Sequence, residues 1–184
     1  MSTQPERQFF PLFAIPVLHA TNFIPPEQIS ALFMQCKEAQ VNEHPTFVGN
    51  ASSNHDSDSD FLSTLGLKEK VQDEIDRATE FLGLSPQNIQ NSWFNIQQPG
   101  SILKQHIHER STLSGAIYVN AGDGSKLVFE NPNSLAVYTW IGDGVFEIPV
   151  SSGDIVIFPS WMRHGSFYEE NQIVDRTVIS FNSR

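Results

Sequence analysis

From Asn88 to its last residue the chain is a succession of short apolar runs separated by turn residues, and this feature constrains the fold most. The runs are SWFNIQ, SILKQHIH, SGAIYVN, KLVFEN, AVYTWI, VFEIPV, DIVIFPS, HGSFYE and TVISFN. About eight short strands without helices between them are typical of a sandwich or a closed barrel. The pattern therefore predicts a mainly β fold with flanking helices, in which residues 88–184 form a double-stranded β-helix (a cupin-like jelly roll).

Residues 1–87 have a different pattern and are expected to support the jelly roll as an arm and helices. Apolar residues recur at three- and four-residue spacing over Glu27–Ala39 and Leu67–Leu82, which predicts two helices packed on its outside. The apolar stretch Phe9–Val17 contains two prolines, as in an edge strand or an extended arm. The polar segment 48–60 predicts a solvated loop. Because no linker or repeat divides the chain, a single domain is expected.

Charge and cysteine content narrow the expected partners and compartment. The formal net charge of −10, without a basic cluster, disfavours a nucleic-acid partner. Cys36 is the only cysteine, so no intramolecular disulfide can form, which fits a reducing, cytoplasmic location. The N-terminus does not resemble a signal peptide, and no apolar run approaches membrane-spanning length, so no membrane partner is expected. A homodimer is compatible with this composition.

The motif His106-Ile107-His108 is the first candidate for chemistry. In a strand, side chains at i and i+2 lie on one face, so both imidazoles would point the same way. Imidazole is a suitable ligand for Fe, Zn, Cu and Ni. The other interpretation is a pair of histidines on a solvated strand face.

A third histidine follows a strand-like segment much later in the chain. Gly153-Asp154 opens the apolar run Ile155–Phe158, and Pro159 then precedes His164. A strand that stops at a Pro-containing turn presents the histidine at its end, where antiparallel pairing can bring it beside the H-x-H motif. The three histidines predict a site for one divalent metal ion. The remaining histidines lack this strand context and are expected at the surface: His19, His44 and His55.

Residues 95–108, N-I-Q-Q-P-G-S-I-L-K-Q-H-I-H, resemble the approach to the first metal ligands in 2-oxoglutarate/Fe(II) dioxygenases. S-G-A-I-Y-V-N and K-L-V-F-E-N-P resemble the next two core strands, and G-D-I-V-I-F-P-S-W-M-R-H resembles the segment that holds the distal histidine. The pattern is similar to bacterial and phage oxygenases with an H-x-H core, a group related to prolyl hydroxylases and alkylation-repair dioxygenases. The resemblance covers roughly residues 90–184.

The resemblance implies an enzyme that uses Fe(II), 2-oxoglutarate as co-substrate and O2 for a hydroxylase-type oxidation. It makes His106, His108 and His164 the catalytic metal ligands. The family's second ligand is usually a carboxylate, whereas His108 stands at that position here. Either a three-histidine site forms, or a bulge turns Glu109 toward the metal; we favour His108. A three-histidine site changes the charge of the iron centre by one unit.

The same resemblance assigns three residues to 2-oxoglutarate. Arg176, twelve residues after His164, would bind its distal carboxylate, a role for which a buried guanidinium is suited. Asn95 would donate to the carboxylate near the metal, and Tyr118 would offer a hydroxyl group. The other interpretation of Arg176 is a surface ion pair with Asp175 or Glu170.

Two alternatives stay open at this point. The spacings G-x5-H-x-H at residues 100–108 and G-x5-P-x4-H at residues 153–164 resemble the two cupin motifs, although the usual Glu is missing and Trp161 stands where Gly is usual. A cupin-type enzyme would bind metal without 2-oxoglutarate, and a non-catalytic jelly-roll binding domain could bind neither. The substrate, a small molecule or a peptide, is not identified by any motif. Trp161, beside the distal histidine, is a candidate to line its pocket.

Overall fold

The computed structural model describes residues 14–39, 46–56, 58–133, 144–166 and 169–184. The helices in these ranges are α1 (Pro26–Glu38), α2 (Phe61–Thr64) and α3 (Lys68–Leu82). The strands, in chain order, are β1 (Leu18–Ala20), β2 (Phe47–Val48), β3 (Ala51–Ser53), β4 (Ile89–Gln97), β5 (Ile102–Leu103), β6 (Leu113–Asn120), β7 (Lys126–Glu130), β8 (Val145–Pro149), β9 (Ile155–Pro159), β10 (His164–Gly165) and β11 (Arg176–Ser183).

The strands form two main sheets and a short ribbon. The larger sheet has the order β1-β9-β6-β11-β4-β3, and every neighbouring pair is antiparallel. The smaller sheet has the order β10-β7-β8, and β2 pairs with β5. Strands that are neighbours in space are far apart in the chain, since β11 lies between β4 and β6. This is the winding of a double-stranded β-helix, and the predicted fold is confirmed.

Alternate residues divide the larger sheet into an outer and an inner face. On β11, Ile179 and Phe181 belong to the apolar core that includes the helices. Val178, which is out of phase with these two residues, belongs to a second core with Leu127 and Phe129 of the smaller sheet. The helices therefore cover the outer face, and the inner face looks toward the smaller sheet.

The helices α1 and α3 are fixed by local sequence and by burial. Pro26 occupies the first helical position of α1, where its restricted φ angle suits the helix. Cys36 of α1 and Val71 and Ile75 of α3 are fully buried against the outer face. Helix α3 ends at Gly83, whose φ of 64° lies in the left-handed region that glycine adopts without strain. Both predicted helices are confirmed, and each end lies within one residue of its prediction.

The N-terminal part also supplies strands, which the sequence did not predict correctly. Strand β3 lies inside segment 48–60, predicted as a loop, and pairs with β4 so that Ser53 lies opposite Asn95. Asp60 caps the start of helix α2, and its carboxylate accepts a hydrogen bond from the backbone N–H of Ser63 at 3.2 Å. The loop prediction is wrong for β3 because a three-residue polar strand has no periodicity of its own and depends on the edge that it joins.

The H-x-H motif lies just outside a regular strand. Of the predicted run SILKQHIH, only β5 is a strand, and His106 makes an isolated antiparallel bridge with His164. The predicted strand AVYTWI, His44 and most of segment 9–17 lie outside the described residues. None of the helices in the described ranges is long and apolar enough to cross a membrane.

Candidate functional site

A cavity of about 400 Å³ lies between the larger and the smaller sheet. Its walls come from the inner face of the larger sheet, from β7 and β10, and from the segment that carries Phe47 and His55. The structure brings all six site residues named from the sequence to this one cavity: Asn95, His106, His108, Tyr118, His164 and Arg176.

The backbone holds the three histidines together. His106 and His164 exchange backbone hydrogen bonds, with N···O distances of 2.9 and 3.0 Å. The backbone N–H of His108 donates to the carbonyl of Ser160 at 3.0 Å, four residues before His164. Because these bonds join the H-x-H motif to the end of β9 and to β10, residues far apart in sequence share one end of the cavity.

Hydrogen bonds also fix which ring nitrogens can bind a metal. Nδ1 of His106 donates to the carbonyl of Lys104, and Nδ1 of His164 donates to the carbonyl of Met162, each at 2.9 Å. A carbonyl only accepts, so Nδ1 carries the proton in both rings and Nε2 presents a lone pair. Such a donor bond is the usual support of a metal-binding histidine.

The geometry of the ring nitrogens fits one metal ion. One ring nitrogen from each histidine lies within 4.8 Å of the other two, and Nε2 of His108 is 3.3 Å from Nε2 of His164. Two nitrogens that each bind one ion at about 2.0–2.1 Å are roughly 2.9–3.4 Å apart for octahedral to tetrahedral angles. The donor set of three imidazoles therefore fits a first-row transition metal.

Burial keeps these imidazoles in the form that binds metal. Desolvation lowers the pKa of His164 to about 3, and the nearby His106 acts in the same direction. Desolvation also lowers the pKa of His106 below its usual value. Both rings are therefore neutral at pH 7, which is the protonation state that coordination requires.

The structure shows which of the two alternative ligands, His108 or Glu109, faces the metal group. The ring nitrogen of His108 belongs to the three-histidine group, whereas Glu109 is exposed and belongs neither to that group nor to the cavity wall. The observed backbone turns His108, and not the carboxylate beside it, toward His106 and His164.

Arg176 lies on β11, farther along the same cavity. Its Nη1 donates to Oε1 of Gln97 at 2.7 Å, its Nε lies 3.4 Å from Oγ of Ser125, and its guanidinium lies 5.5 Å from the ring centroid of Tyr118. Among the described residues, no Asp or Glu is within ion-pair distance of this guanidinium. The predicted alternative of a pair with Asp175 is wrong, because Asp175 accepts from Lys37 at 2.7 Å instead.

The charge state of this pocket follows from its burial. Desolvation lowers the pKa of Arg176, and the neighbouring Tyr118 acts against that shift. Arginine stays protonated in proteins, so the cavity contains a positive charge. Burial raises the pKa of Tyr118 to about 12, with the Arg176 cation acting in the opposite direction, so its hydroxyl stays protonated at pH 7.

Asn95 faces the cavity, but protein groups surround its amide. In the amide orientation that satisfies both ends, the oxygen accepts from Trp93 Nε1 and Ser180 Oγ, each at 3.2 Å, and the nitrogen donates to Ser53 Oγ at 2.9 Å. These bonds connect β3, β4 and β11. The side chain therefore holds three strands in register beside the metal group.

Several cavity residues were missed or misjudged from the sequence. His55, expected at the surface, is half-buried in the cavity wall with its ring edge-on to Trp93, at 4.6 Å between centroids. Gln97 and Ser125, the partners of Arg176, carried no motif. Trp161, a candidate for the pocket, is 53% exposed and does not line the cavity. The positions of these residues relative to the cavity depend on pairing between distant strands, which no local sequence pattern predicts.

The chain has a double-stranded β-helix fold, and one cavity contains three convergent imidazoles and a buried arginine. These features define it as a jelly-roll protein with a candidate metal centre. Residues 91–182, half of the 184 residues, match the family model described as "Putative 2OG-Fe(II) oxygenase". The chain belongs to the 2OG-Fe(II) oxygenase family. It is accordingly a 2-oxoglutarate-dependent non-haem iron oxygenase, an assignment that the family match favours over the cupin and non-catalytic alternatives.

Several solved structures share the fold. A prolyl-4-hydroxylase from Pseudomonas putida is 20% identical, with a TM-score of 0.59 and 94% of each chain covered. HygX from Streptomyces hygroscopicus, solved with nickel and 2-oxoglutarate bound, is 10% identical, with a TM-score of 0.65 and coverage of 92% of this chain and 82% of HygX. A 2OG-Fe(II) oxygenase family oxidoreductase from Burkholderia pseudomallei is also 10% identical, with a TM-score of 0.67 and coverage of 91% and 84%. No curated protein sequence matches the chain significantly.

Proposed function

We propose that this chain binds one Fe(II) ion through His106, His108 and His164, binds 2-oxoglutarate with its distal carboxylate on Arg176, and oxidises a small-molecule or peptide substrate in the same cavity. The observation that carries the proposal is the pairing of two features in one cavity. Three imidazoles converge at one end, and a buried guanidinium without a described acidic partner lies on the wall.

The buried guanidinium of Arg176 is expected to bind an anionic ligand. Burying a guanidinium is costly unless an anion and further hydrogen bonds compensate for the lost water. Gln97 and Ser125 offer neutral oxygens to Arg176, which orient the guanidinium without neutralising it. A ligand carboxylate can accept two parallel hydrogen bonds from the guanidinium N–H groups of Arg176 that Gln97 and Ser125 do not occupy.

Different residues of the cavity would bind the metal and 2-oxoglutarate. The three histidines would hold the metal, and the Nδ1 bonds of His106 and His164 to backbone carbonyls keep those two rings in place. Asn95 and Tyr118 both lie opposite Val178, on the strands that flank β11, and are the proposed polar contacts of 2-oxoglutarate beside Arg176. The apolar side chains of Leu127, Phe158 and Val178, which line the cavity, would limit the water that it holds. A bound Fe(II) ion supplies the O2 chemistry, in which 2-oxoglutarate becomes succinate and CO2 as the substrate is oxidised.

The proposal is tested by calorimetry with 2-oxoglutarate, performed without oxygen on protein loaded with Mn(II) or Fe(II). We expect one 2-oxoglutarate per chain in the wild type. Arg176→Gln should lose about 2–5 kcal/mol of binding free energy, well over tenfold in affinity, because one bidentate charged contact is removed. Arg163→Gln is the matched control, since Arg163 pairs with Glu130 at 3.0 Å and does not line the cavity.

Two results would contradict the proposal. If the wild type binds metal but no 2-oxoglutarate, the chain does not use this co-substrate. If wild type and Arg176→Gln bind it equally, the guanidinium is not its anchor.

A further inference from the structure

The ligand set of the candidate metal site consists entirely of imidazoles. The group that can hold an ion contains His106, His108 and His164, and no carboxylate of the described residues belongs to it. With three neutral ligands, a bound divalent ion keeps its full charge of +2. A carboxylate at the position of His108 would reduce that charge by one.

The nearby acidic residues do not restore the missing charge. Asp123, Glu169 and Glu170 line the cavity, but none of them is part of the metal group. Glu169 is held by Lys126 at 3.0 Å, on the β7 side of the cavity. Glu109 is exposed and lies outside the cavity wall.

Ligand chemistry relates this donor set to the metal that it prefers. Carboxylate, carbonyl and water oxygens suit Mg²⁺ and Mn²⁺, whereas imidazole suits Zn²⁺, Cu²⁺, Ni²⁺ and Fe²⁺. Two histidines with one carboxylate are the donor set of non-haem Fe(II) oxygenases, and three histidines form the catalytic zinc site of carbonic anhydrase.

We propose that His108 sets the metal preference of this site, so that it discriminates more strongly between late first-row ions and Mn(II) than a two-histidine, one-carboxylate site does. The inference rests on the proposed metal site and concerns which ion it selects. His108 is placed to do this because its backbone N–H is fixed to Ser160, at 3.0 Å, and its Nε2 already lies 3.3 Å from that of His164.

The test is a metal titration of the full-length apo-protein with Mn(II) and with Co(II), each in competition with a chelator of known affinity. The quantity compared is the ratio of the Mn(II) to the Co(II) dissociation constant. In His108→Asp this ratio should fall by about tenfold or more, because an oxygen donor replaces an imidazole. The matched control is Glu109→Gln, which should leave the ratio unchanged.

A second measurement counts the imidazoles on the ion. Each histidine bound to Co(II) gives its own paramagnetically shifted ring-proton signals in NMR spectra. The wild type should show the signals of three imidazoles and His108→Asp those of two. Because the wild-type count needs no variant, the inference can be overturned even if the Asp variant does not fold.

The outcomes separate this inference from the proposed function. A wild type that binds neither ion overturns both. Three results would overturn the role of His108 while leaving an oxygenase metal site in place. They are metal binding with an unchanged ratio in His108→Asp, a changed ratio in Glu109→Gln, and only two bound imidazoles in the wild type.

Discussion

The two faces of the six-stranded sheet are built from the same strands and serve different ends. The outer face presents residues such as Phe94, Ile117 and Ile179, all fully buried against the helices. The inner face, one residue out of phase, presents Asn95, Tyr118 and Arg176 in addition to its apolar residues. Each strand thus contributes alternately to a dry core and to a cavity with hydrogen-bonding and charged groups.

This comparison shows how stability and chemistry can be kept apart in one sheet. The outer face buries apolar side chains against the helices, and such burial is the main source of folding free energy. The inner face leaves a cavity of about 400 Å³ and keeps a guanidinium inside, neither of which favours folding. We therefore expect substitutions on the outer face to affect stability first, and substitutions on the inner face to affect ligands first.

The largest expected effect is on the outer face. Phe94→Ala should lower the free energy of unfolding by about 3–5 kcal/mol, because it removes a fully buried ring that packs 5.0 Å from Phe61 and leaves a void. Denaturant titration measures this change. Phe81→Ala, at a ring that is 78% exposed on α3, should stay within about 0.5 kcal/mol. Equal losses in both variants would contradict the assignment of the outer core.

On the inner face, His164→Ala should abolish tight metal binding. Loss of one of three ligands should weaken affinity by at least about 100-fold, more than loss of a supporting hydrogen bond does. The free energy of unfolding of the metal-free variant should fall less than that of Phe94→Ala. Metal analysis after dialysis and denaturant titration measure the two effects. Full retention of metal would exclude His164 as a ligand.

The protonation of His164 links pH to the stability of the metal-free protein. Burial lowers its pKa to about 3 in the folded state, against about 6.5 in an unfolded chain. The unfolded state therefore binds more protons between these values, and stability should fall as the pH falls below about 6.5. One such group contributes a slope of up to about 1.4 kcal/mol per pH unit. His164→Asn should flatten the curve by about this amount; an unaltered slope would show that the ring is not buried in its neutral form.

The smallest effect concerns Cys36, beneath the outer face. Desolvation raises the pKa of its thiol to about 12, and the side chain is fully buried. The folded protein should therefore not react with a thiol reagent at pH 8, and its labelling should follow global unfolding. Met34→Cys, on the same helix at a position 52% exposed, provides a second thiol that should label at once. Rapid labelling of the wild type would show that α1 does not cover this face.

Much of this molecule could be predicted from local pattern. The apolar periodicity of α1 and α3 gave their ends to within one residue. The short apolar runs between turn residues predicted the strands β6, β9 and β11. The spacing of the H-x-H motif and the strand context of His164, together with the resemblance that singled out Arg176, identified residues that the structure brings to one cavity. These features depend on neighbours in sequence, since a helix or a strand imposes its period on the residues within it.

Tertiary structure decided what depends on register between distant segments. The pairing of β3 with β4 brought His55 to the cavity and surrounded the amide of Asn95. The bridge between His106 and His164 aligned the imidazoles, and the backbone beyond it turned His108 inward and Glu109 outward. A shift of one residue in either pairing would reverse which side chains face the cavity. The sequence by itself determined which residues could serve a metal and a carboxylate, whereas the hydrogen-bonded register between distant strands decided which of them meet.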